Sequence, residues 1–289
     1  MNGEIVSTMS SDHLRLHGFY RRSESRLMTS TTCGSVDAAV MLHGLGGNFY
    51  SSRLLNHFSD TLMKLGISVV IANTRGHDMI NTSTWGGRSR SNGAALENVA
   101  DAKFDIEGWT EFLLDKGHTD ILVFGHSLGA IKSLHAQAHQ PHTKVRSIIG
   151  LSPTRLSYSK LIDSPRGELF RETIQKCTKL IDEQLGETPI HVPFPYPTWM
   201  TPKCYIEKYG PAESFNWIRF VNQVEIPTLL VFGQKELDND PAFEGVRSEL
   251  VELRDGWNSL TIEEIEEADH FYTSKFEMVS DVMTRWLTD

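Results

Sequence analysis

The chain has 289 residues, 39% hydrophobic and 22% charged, ordinary globular values that argue against disordered and fibrous classes. A chain of this length can bury a large core without disulfides or structural metal ions. Its net charge of −9 argues against a surface built mainly to bind nucleic acid or another polyanion.

Short apolar runs alternate with longer helical patterns along the chain, which is typical of a parallel sheet with crossover helices. The pattern predicts an edge strand at 12–20, followed by strands at 38–42, 67–72, 121–124, 145–151, 228–232 and 260–265. It predicts helices at 51–65, 94–116, 127–139 and 271–287. Runs such as 38–42 are apolar throughout, as strands buried on both faces are.

The segment 153–222 interrupts this alternation. It holds a helical pattern at 168–185 and then the stretch HVPFPYPTWMTP, whose four prolines are incompatible with a regular helix or strand ladder. We therefore expect 153–222 to be a small cap inserted over one face of the sheet, with 1–152 and 223–289 forming the core.

The motif GHSLG at 125–129 is the strongest chemical signal in the sequence. It follows the apolar run ILVF and precedes a helical pattern, which is the context of a nucleophile elbow. A serine on such a turn has strained backbone angles, and small residues two positions away on either side avoid clashes with neighbouring backbone. We therefore predict that Ser127 is a nucleophile; by itself, GxSxG also occurs in ordinary loops.

A second motif, HGLGG at 43–47, directly follows the strand predicted at 38–42. Acyl transfer needs N–H donors where negative charge develops on the carbonyl oxygen. We predict that the backbone amides of Leu45 and Leu128 supply them. His43 is a candidate either to contact the substrate or to support the turn. A phosphate-binding turn is the alternative, but neither GxGxxG nor GxxxxGK[ST] is present.

A serine nucleophile needs a base within hydrogen-bond reach and an acid that orients the base. His270 stands after the last predicted strand, where the chain order serine, acid, histidine requires the base. His191 lies in the proline-rich stretch instead. The remaining downstream histidines are on or just after the helix that Ser127 begins, and are carried away from the turn: His135, His139 and His142.

The acid is less sharply defined, because several carboxylates surround the expected position. Glu236 comes three residues after the glycine that ends the strand at 228–232, close to the edge of the sheet. Asp238 lies further out and stays the alternative, whereas Asp240 precedes a proline and resembles a helix N-cap. Asp269 is adjacent to His270, so its side chain points away. Spacing favours Glu236.

Four further residues are candidates for substrate binding. Arg75 can pair with a substrate carboxylate, while Arg88 and Arg90 are expected in a solvated loop. Phe194, Tyr196 and Trp199 alternate with prolines and either line an apolar acyl pocket or attach the cap to the core.

Neither a metal site nor a disulfide framework is predicted. Cys33, Cys177 and Cys204 are odd in number and widely spaced, without a CxxC pair. His135 and His139 share a helix face, but no cysteine or carboxylate nearby completes a zinc site, and proximity to a helix C-terminus explains His139.

Taken together, these motifs resemble the α/β-hydrolase superfamily over nearly the whole chain: HGLGG at 43–47, VVIANTRGH at 69–77, GHSLG at 125–129, PTLLVFGQKE at 227–236 and ADHF at 268–271. The resemblance implies a mostly parallel eight-stranded sheet with helices on both faces. It also implies a triad of Ser127, His270 and an acid at position 236. Glu236 departs from the aspartate that most members carry, and Asp78 stands where a glycine often occurs.

Ser127 excludes dehalogenases and epoxide hydrolases, which need an aspartate at the elbow. We therefore expect a cytoplasmic serine hydrolase that needs no cofactor and cleaves a carboxylic ester of a small molecule. Alternatives with the same triad are an acyltransferase, a thioesterase or lactonase, and a C–C bond hydrolase; a ligand-binding member without catalysis is another. No secretory signal or membrane-spanning run is visible, so a membrane is not an expected partner, and the net charge of −9 argues against a nucleic acid as one.

Overall fold

The computed structural model describes residues 2–24, 35–254, 257 and 259–289; Cys33 lies outside them. The strands are β1 (Glu4–Met9), β2 (Arg15–Arg21), β3 (Ala38–Leu42), β4 (Ser68–Ala72), β5 (Asn81–Trp85), β6 (Arg88–Asn92), β7 (Ile121–His126), β8 (Val145–Leu151), β9 (Ile190–Val192), β10 (Thr198–Met200), β11 (Thr228–Gly233) and β12 (Leu260–Ile265). The helices are α1 (Arg53–Lys64), α2 (Ala102–Asp115), α3 (Leu128–His139), α4 (Tyr158–Ile162), α5 (Gly167–Asp182), α6 (Pro202–Tyr209), α7 (Gln234–Asn239), α8 (Val246–Arg254) and α9 (Phe276–Thr288). None of these described helices is long and apolar enough to cross a membrane.

Eight of the described strands form one sheet in the order β1-β2-β4-β3-β7-β8-β11-β12. β2 runs antiparallel to both of its neighbours, and the other pairs are parallel. The predicted mostly parallel eight-stranded sheet is therefore confirmed. β8 and β12 have the bounds that the apolar pattern predicts.

Both faces of the sheet are covered by helices. Met41 and Phe124 project from one face into a core formed with α1 and α9. Val40 and Leu42 project from the other face, where Trp109 of α2 is fully buried. Because strands such as β3 and β4 are buried at every residue, the continuous apolar runs in the sequence follow from this two-sided packing.

Several predicted elements need correction. The strand at this edge of the sheet is β1, which is mostly exposed and carries no apolar pattern. The segment predicted as the edge strand at 12–20 lies on the inner side of β1 and begins as a strand only at Arg15, after a turn in which His13 has positive φ. Arg88 and Arg90 lie on β6 of an antiparallel hairpin with β5 rather than in a loop. The helix predicted from 271 begins at Phe276, since Tyr272 and Ser274 adopt positive φ.

The expectation that the proline-rich stretch forms no ladder is also wrong. β9 and β10 pair as a short antiparallel hairpin with Thr198 opposite Val192. This register leaves 193–197, with three of the prolines, in the connecting loop, where a missing N–H breaks no ladder bond. The fourth, Pro202, begins α6, a position where proline is favoured.

The carboxyl edge of the parallel strands brings together the segments that follow β3, β7, β8, β11 and β12. Leu42 at the end of β3 pairs with Gly125, and His126 at the end of β7 pairs with Leu151. Gly233 ends β11 beside Ile265 of β12. In open parallel sheets this edge is where ligands bind, so the residues that follow these strands are the candidates for a site.

Candidate active site

Ser127 lies at the junction of β7 and α3 with φ of 55° and ψ of −121°, a conformation that a residue with a side chain rarely adopts. Its amide donates to the Leu151 carbonyl at 2.8 Å. A Cβ at Gly125 would lie 2.4 Å from the backbone of Gly129, and one at Gly129 would lie 2.6 Å from the carbonyl oxygen of Leu42. The glycine spacing therefore follows from the close approach of backbone segments at the turn.

His270 and Glu236 meet across two loops, one after β12 and one at the start of α7. His270 Nδ1 lies 2.7 Å from Glu236 Oε2. The other carboxylate oxygen, Oε1, accepts from the Ser152 hydroxyl at 2.6 Å and from the Gly233 amide at 2.8 Å. Because a carboxylate only accepts, Nδ1 carries the hydrogen of this bond and Nε2 of His270 is left as an acceptor.

The other carboxylates of this region are engaged elsewhere. Asp238 is exposed and pairs with Arg247 at 2.8 Å. Asp240 accepts from the amide of Ala242, as the N-cap interpretation predicts. Asp269 accepts from backbone amides in the loop that follows it. Glu236 is therefore the carboxylate that the structure brings to His270.

His126 supports the position of His270 through the backbone. Its Nε2–H donates to the His270 carbonyl at 2.9 Å, and the two rings lie 5.0 Å apart between centroids. Burial lowers the pKa of His126 to about 3. A neutral imidazole thus ties the turn that carries Ser127 to the loop that carries His270.

This burial makes stability pH-dependent. A neutral native His126 does not take the proton that the unfolded chain binds below its usual pKa of 6.5, so stability falls as the pH drops from 6.5 toward 3. We expect the wild type to lose about 2 kcal/mol of unfolding free energy from this residue by about pH 5. The variant His126→Gln keeps an N–H donor but does not titrate. Urea unfolding of both proteins at neutral pH and at about pH 5 measures how much unfolding free energy each one loses. Equal pH dependence in the two proteins would contradict this account.

The candidate oxyanion donors border the same turn. Leu128 is the first residue of α3, so its amide has no partner within the helix. Leu45 belongs to the loop after β3, where a Cβ at Gly44 would lie 3.1 Å from Ser127 Cβ. Leu45 and Leu128 both line the cavity that Ser127 lines.

His43 is buried beneath this loop and does not face the cavity. Its Nδ1–H donates to the Gly44 carbonyl at 2.7 Å, and its Nε2 accepts from the Thr74 amide at 3.2 Å. Burial lowers its pKa to about 3. Lys132 donates to the Thr74 hydroxyl at 3.2 Å and to Glu97 at 2.6 Å. These contacts give His43 a supporting role in the loop.

Two cavities flank His270. The first, of about 370 Å³, is lined by Ser127, His270 and apolar side chains that include Leu156 and Phe271. The second, of about 450 Å³, is lined by His270 and Glu236. Between them lie Tyr196 and Asp240, which line both cavities and share a hydrogen bond of 3.1 Å from the Tyr196 hydroxyl.

The other aromatic candidates differ in position. Phe194 is fully buried, lines the second cavity and stacks under the Arg166 guanidinium at 5.0 Å. Trp199 is 53% exposed and contacts His191, and it lines neither cavity. Phe194 and Tyr196 therefore belong to the candidate site, and Trp199 belongs to the outer surface of its hairpin.

Arg75 has a different role from the expected one. Its guanidinium is 4% exposed and pairs with Asp12 and Asp105 at 2.9 Å and with Asp101 at 3.4 Å. It lines neither cavity. Because three carboxylates surround it, Arg75 is not available to a substrate carboxylate and instead attaches α2 to the loop after β4.

Sequence reasoning missed Ser152 and gave His126 only a structural role as a flanking residue of the GHSLG motif. Ser152 directly follows β8 at the carboxyl edge, which is the signal that could have identified it. His126 adjoins the nucleophile, but its bond to the His270 carbonyl depends on a contact between distant segments.

In the part of the chain that the structure describes, no three histidine, cysteine, aspartate or glutamate side chains are grouped as metal ligands.

The sequence and the fold both have known relatives. Residues 39–277 match the profile of the Alpha/beta hydrolase family. GrgF, an alpha/beta hydrolase from Penicillium sp. sh18, has a TM-score of 0.71 at 13% identity, covering 99% of this chain and 98% of its own.

Two further solved structures share the fold. Est1E from Butyrivibrio proteoclasticus, solved with ferulic acid bound, has a TM-score of 0.64 at 16% identity over 96% of both chains. The Pyrococcus furiosus esterase PF2001 has a TM-score of 0.63 at 15% identity, covering 99% of this chain and 92% of its own. No curated protein matches the chain significantly in sequence.

Proposed function

Because the chain belongs to the alpha/beta hydrolase family, we propose that it is a serine hydrolase acting on a carboxylic ester or a related acyl bond. The observation that carries this proposal is the 2.7 Å contact between His270 and Glu236 beside the cavity that Ser127 also lines. An orienting acid, a base and an exposed serine are the parts that acyl transfer by a serine needs.

In the proposed mechanism, Ser127 Oγ attacks the carbonyl carbon and His270 Nε2 takes its proton. Glu236 holds the imidazole through Nδ1–H and stabilises the imidazolium that forms. His270 then gives the proton to the leaving group, and an acyl-enzyme remains on Ser127. Water, deprotonated by His270, releases the acid and restores the serine.

The amides of Leu45 and Leu128 are the proposed donors to the oxygen that becomes negative during the attack. Each such donor is worth about 2.7–4 kcal/mol in acyl-transfer enzymes. The neighbouring loop is held by His43 and Thr74, so these donors need little rearrangement when the charge develops.

The segment 153–222 is proposed to act as a cap that shapes the substrate pocket. Leu156 and Tyr196 of this segment line the cavity that holds Ser127. The Trp217 indole donates to the Pro153 carbonyl at 3.1 Å, and the Tyr205 hydroxyl donates to the Phe194 carbonyl at 2.8 Å. The substrate class that fits this pocket is a small-molecule acyl compound.

A panel of p-nitrophenyl esters that differ in acyl length, with and without an added alcohol, tests this proposal. We expect hydrolysis of short-chain esters, inactivation by a fluorophosphonate, and water as the main acceptor. Predominant transfer to the alcohol would favour an acyltransferase. Saturable binding of esters without turnover would contradict hydrolysis and favour a ligand-binding role.

A further inference from the structure

Lys208, on α6, is a buried cation at the proposed catalytic cavity. It lines the cavity that Ser127 lines, yet only 1% of its surface is exposed. A lysine is rarely buried to this extent unless its ammonium group is paired. What pairs with Lys208 therefore bears on what the cavity binds.

The protein supplies the ammonium group of Lys208 with few acceptors. Nζ donates to the Ala94 carbonyl at 3.3 Å, its one hydrogen bond among the described residues. The nearest carboxylate oxygen, Glu97 Oε1, lies 3.7 Å away, whereas Glu97 Oε2 accepts from Lys132 at 2.6 Å. Since an ammonium group has three N–H donors, Lys208 can donate to further oxygen atoms.

Two hydroxyl groups on the same cavity are also buried and have unused hydrogen-bonding capacity. Tyr209, beside Lys208, and Thr154 both line it. Neither side-chain hydroxyl has a hydrogen-bond partner in the described part of the chain, and both residues are about 5% exposed. Three polar side chains of this cavity, those of Lys208, Tyr209 and Thr154, thus have donors that the described part of the chain leaves unused.

We propose that Lys208 and Tyr209 form a subsite for a carboxylate in the acyl part of the substrate. The inference rests on the proposed function and narrows its substrate class to half-esters of dicarboxylic acids and related acyl compounds. A substrate carboxylate would accept from the Lys208 ammonium and the Tyr209 hydroxyl, while the ester carbonyl lies at Ser127. Charge-assisted bonds of this kind are about twice as strong as neutral ones.

The charges around Lys208 favour an anion over a neutral oxygen. Glu97 is tightly paired with Lys132, so it only partly offsets the second lysine. Glu207 also lies near, but burial raises its pKa to about 7 and it is partly neutral at that pH. Asp240 is the carboxylate among the described residues that lines the cavity, and it is hydrogen-bonded to Tyr196.

The test compares monophenyl glutarate with phenyl pentanoate, which have acyl chains of equal length and differ in the terminal carboxylate. We expect the wild type to prefer the glutarate half-ester in kcat/KM by about tenfold or more. Lys208→Met should remove this preference, and Tyr209→Phe should reduce it several-fold. Lys203→Met, on the exposed face of the same helix, is the matched control and should keep it.

Unchanged preference in Lys208→Met, or equally fast hydrolysis of the two esters by the wild type, would overturn the subsite. A stronger preference for phenyl 4-oxopentanoate would also overturn it, because a neutral oxygen would then be the favoured partner. If Lys208→Met fails to fold, Tyr209→Phe decides the question, and an unchanged preference in that variant overturns the proposal.

Binding to Ser127→Ala separates this inference from the proposed function. Calorimetry of glutarate and pentanoate should give tighter binding of glutarate, by about tenfold. If no ester is hydrolysed by the wild type but glutarate still binds more tightly, the hydrolase proposal fails and the subsite stands. If esters are hydrolysed and the two acids bind equally, the subsite fails alone.

Discussion

Replacing Ser127 with alanine is expected to lower kcat for p-nitrophenyl esters by about 10⁶-fold, to the level that binding and the oxyanion donors alone sustain. The expectation follows from the elbow geometry, in which a positive φ of 55° is maintained at a residue with a side chain. Such strain persists where the surrounding structure enforces it, most often at functional sites. Alanine retains the Cβ, so the turn and the fold should survive.

Ser280→Ala is the matched control for this substitution. Ser280 is buried on α9 and contacts the Thr61 hydroxyl at 2.8 Å, and it lines neither cavity. Its turnover should stay close to that of the wild type, because the side chain lines neither cavity. If folded Ser127→Ala kept even a few per cent of the wild-type rate, Ser127 would not be the nucleophile.

Glu236→Gln is expected to lower kcat by about 10⁴-fold, through the tautomer of His270. Two donors, the Ser152 hydroxyl and the Gly233 amide, fix the oxygen of any amide at the Oε1 position. The glutamine NH₂ then points at Nδ1 of His270. A donor there forces the imidazole to carry its proton on Nε2, where it can no longer accept the serine proton.

Asp238→Asn is the matched control, because it makes the same chemical change two residues away. Asp238 is 43% exposed at its side chain and pairs with Arg247 on the surface. Its loss should change kcat by less than about twofold, since exposed ion pairs are worth only about 0–1 kcal/mol. Steady-state kinetics of the two purified variants measure the contrast, and the reverse order would move the acid to Asp238.

The strands that lie inside the sheet could be predicted from the sequence, because burial on both faces leaves an unbroken apolar run. β3, which is buried at every residue, has the predicted bounds for this reason. The outer strands β1, β5 and β6 could not be predicted from the sequence. β1 alternates exposed and partly buried positions without apolar residues at regular spacing, and the β5–β6 hairpin is polar almost throughout. Their pairing depends on neighbours that are distant in sequence.

The residues of the candidate site also fall into two groups, those that the sequence predicts and those that it does not. Ser127 and His270 are defined by motif and chain order, which depend on the topology of the sheet. Spacing favoured Glu236 over Asp238, and the contact with His270 supports that preference. The sequence could not show which of Arg75 and Lys208 is available to a substrate carboxylate. That availability depends on the partners that folding brings to each side chain. Arg75 meets three carboxylates, whereas Lys208 meets one at 3.7 Å.

The most direct test of the account is to locate the covalent adduct that a fluorophosphonate forms with the native protein. Peptide mass spectrometry after proteolysis should find one modified residue, Ser127, within the GHSLG segment. His270→Ala should slow this labelling strongly, because the serine then lacks its base. An adduct on another residue, or labelling of Ser127→Ala at the wild-type rate, would contradict the assignment of Ser127 as the nucleophile.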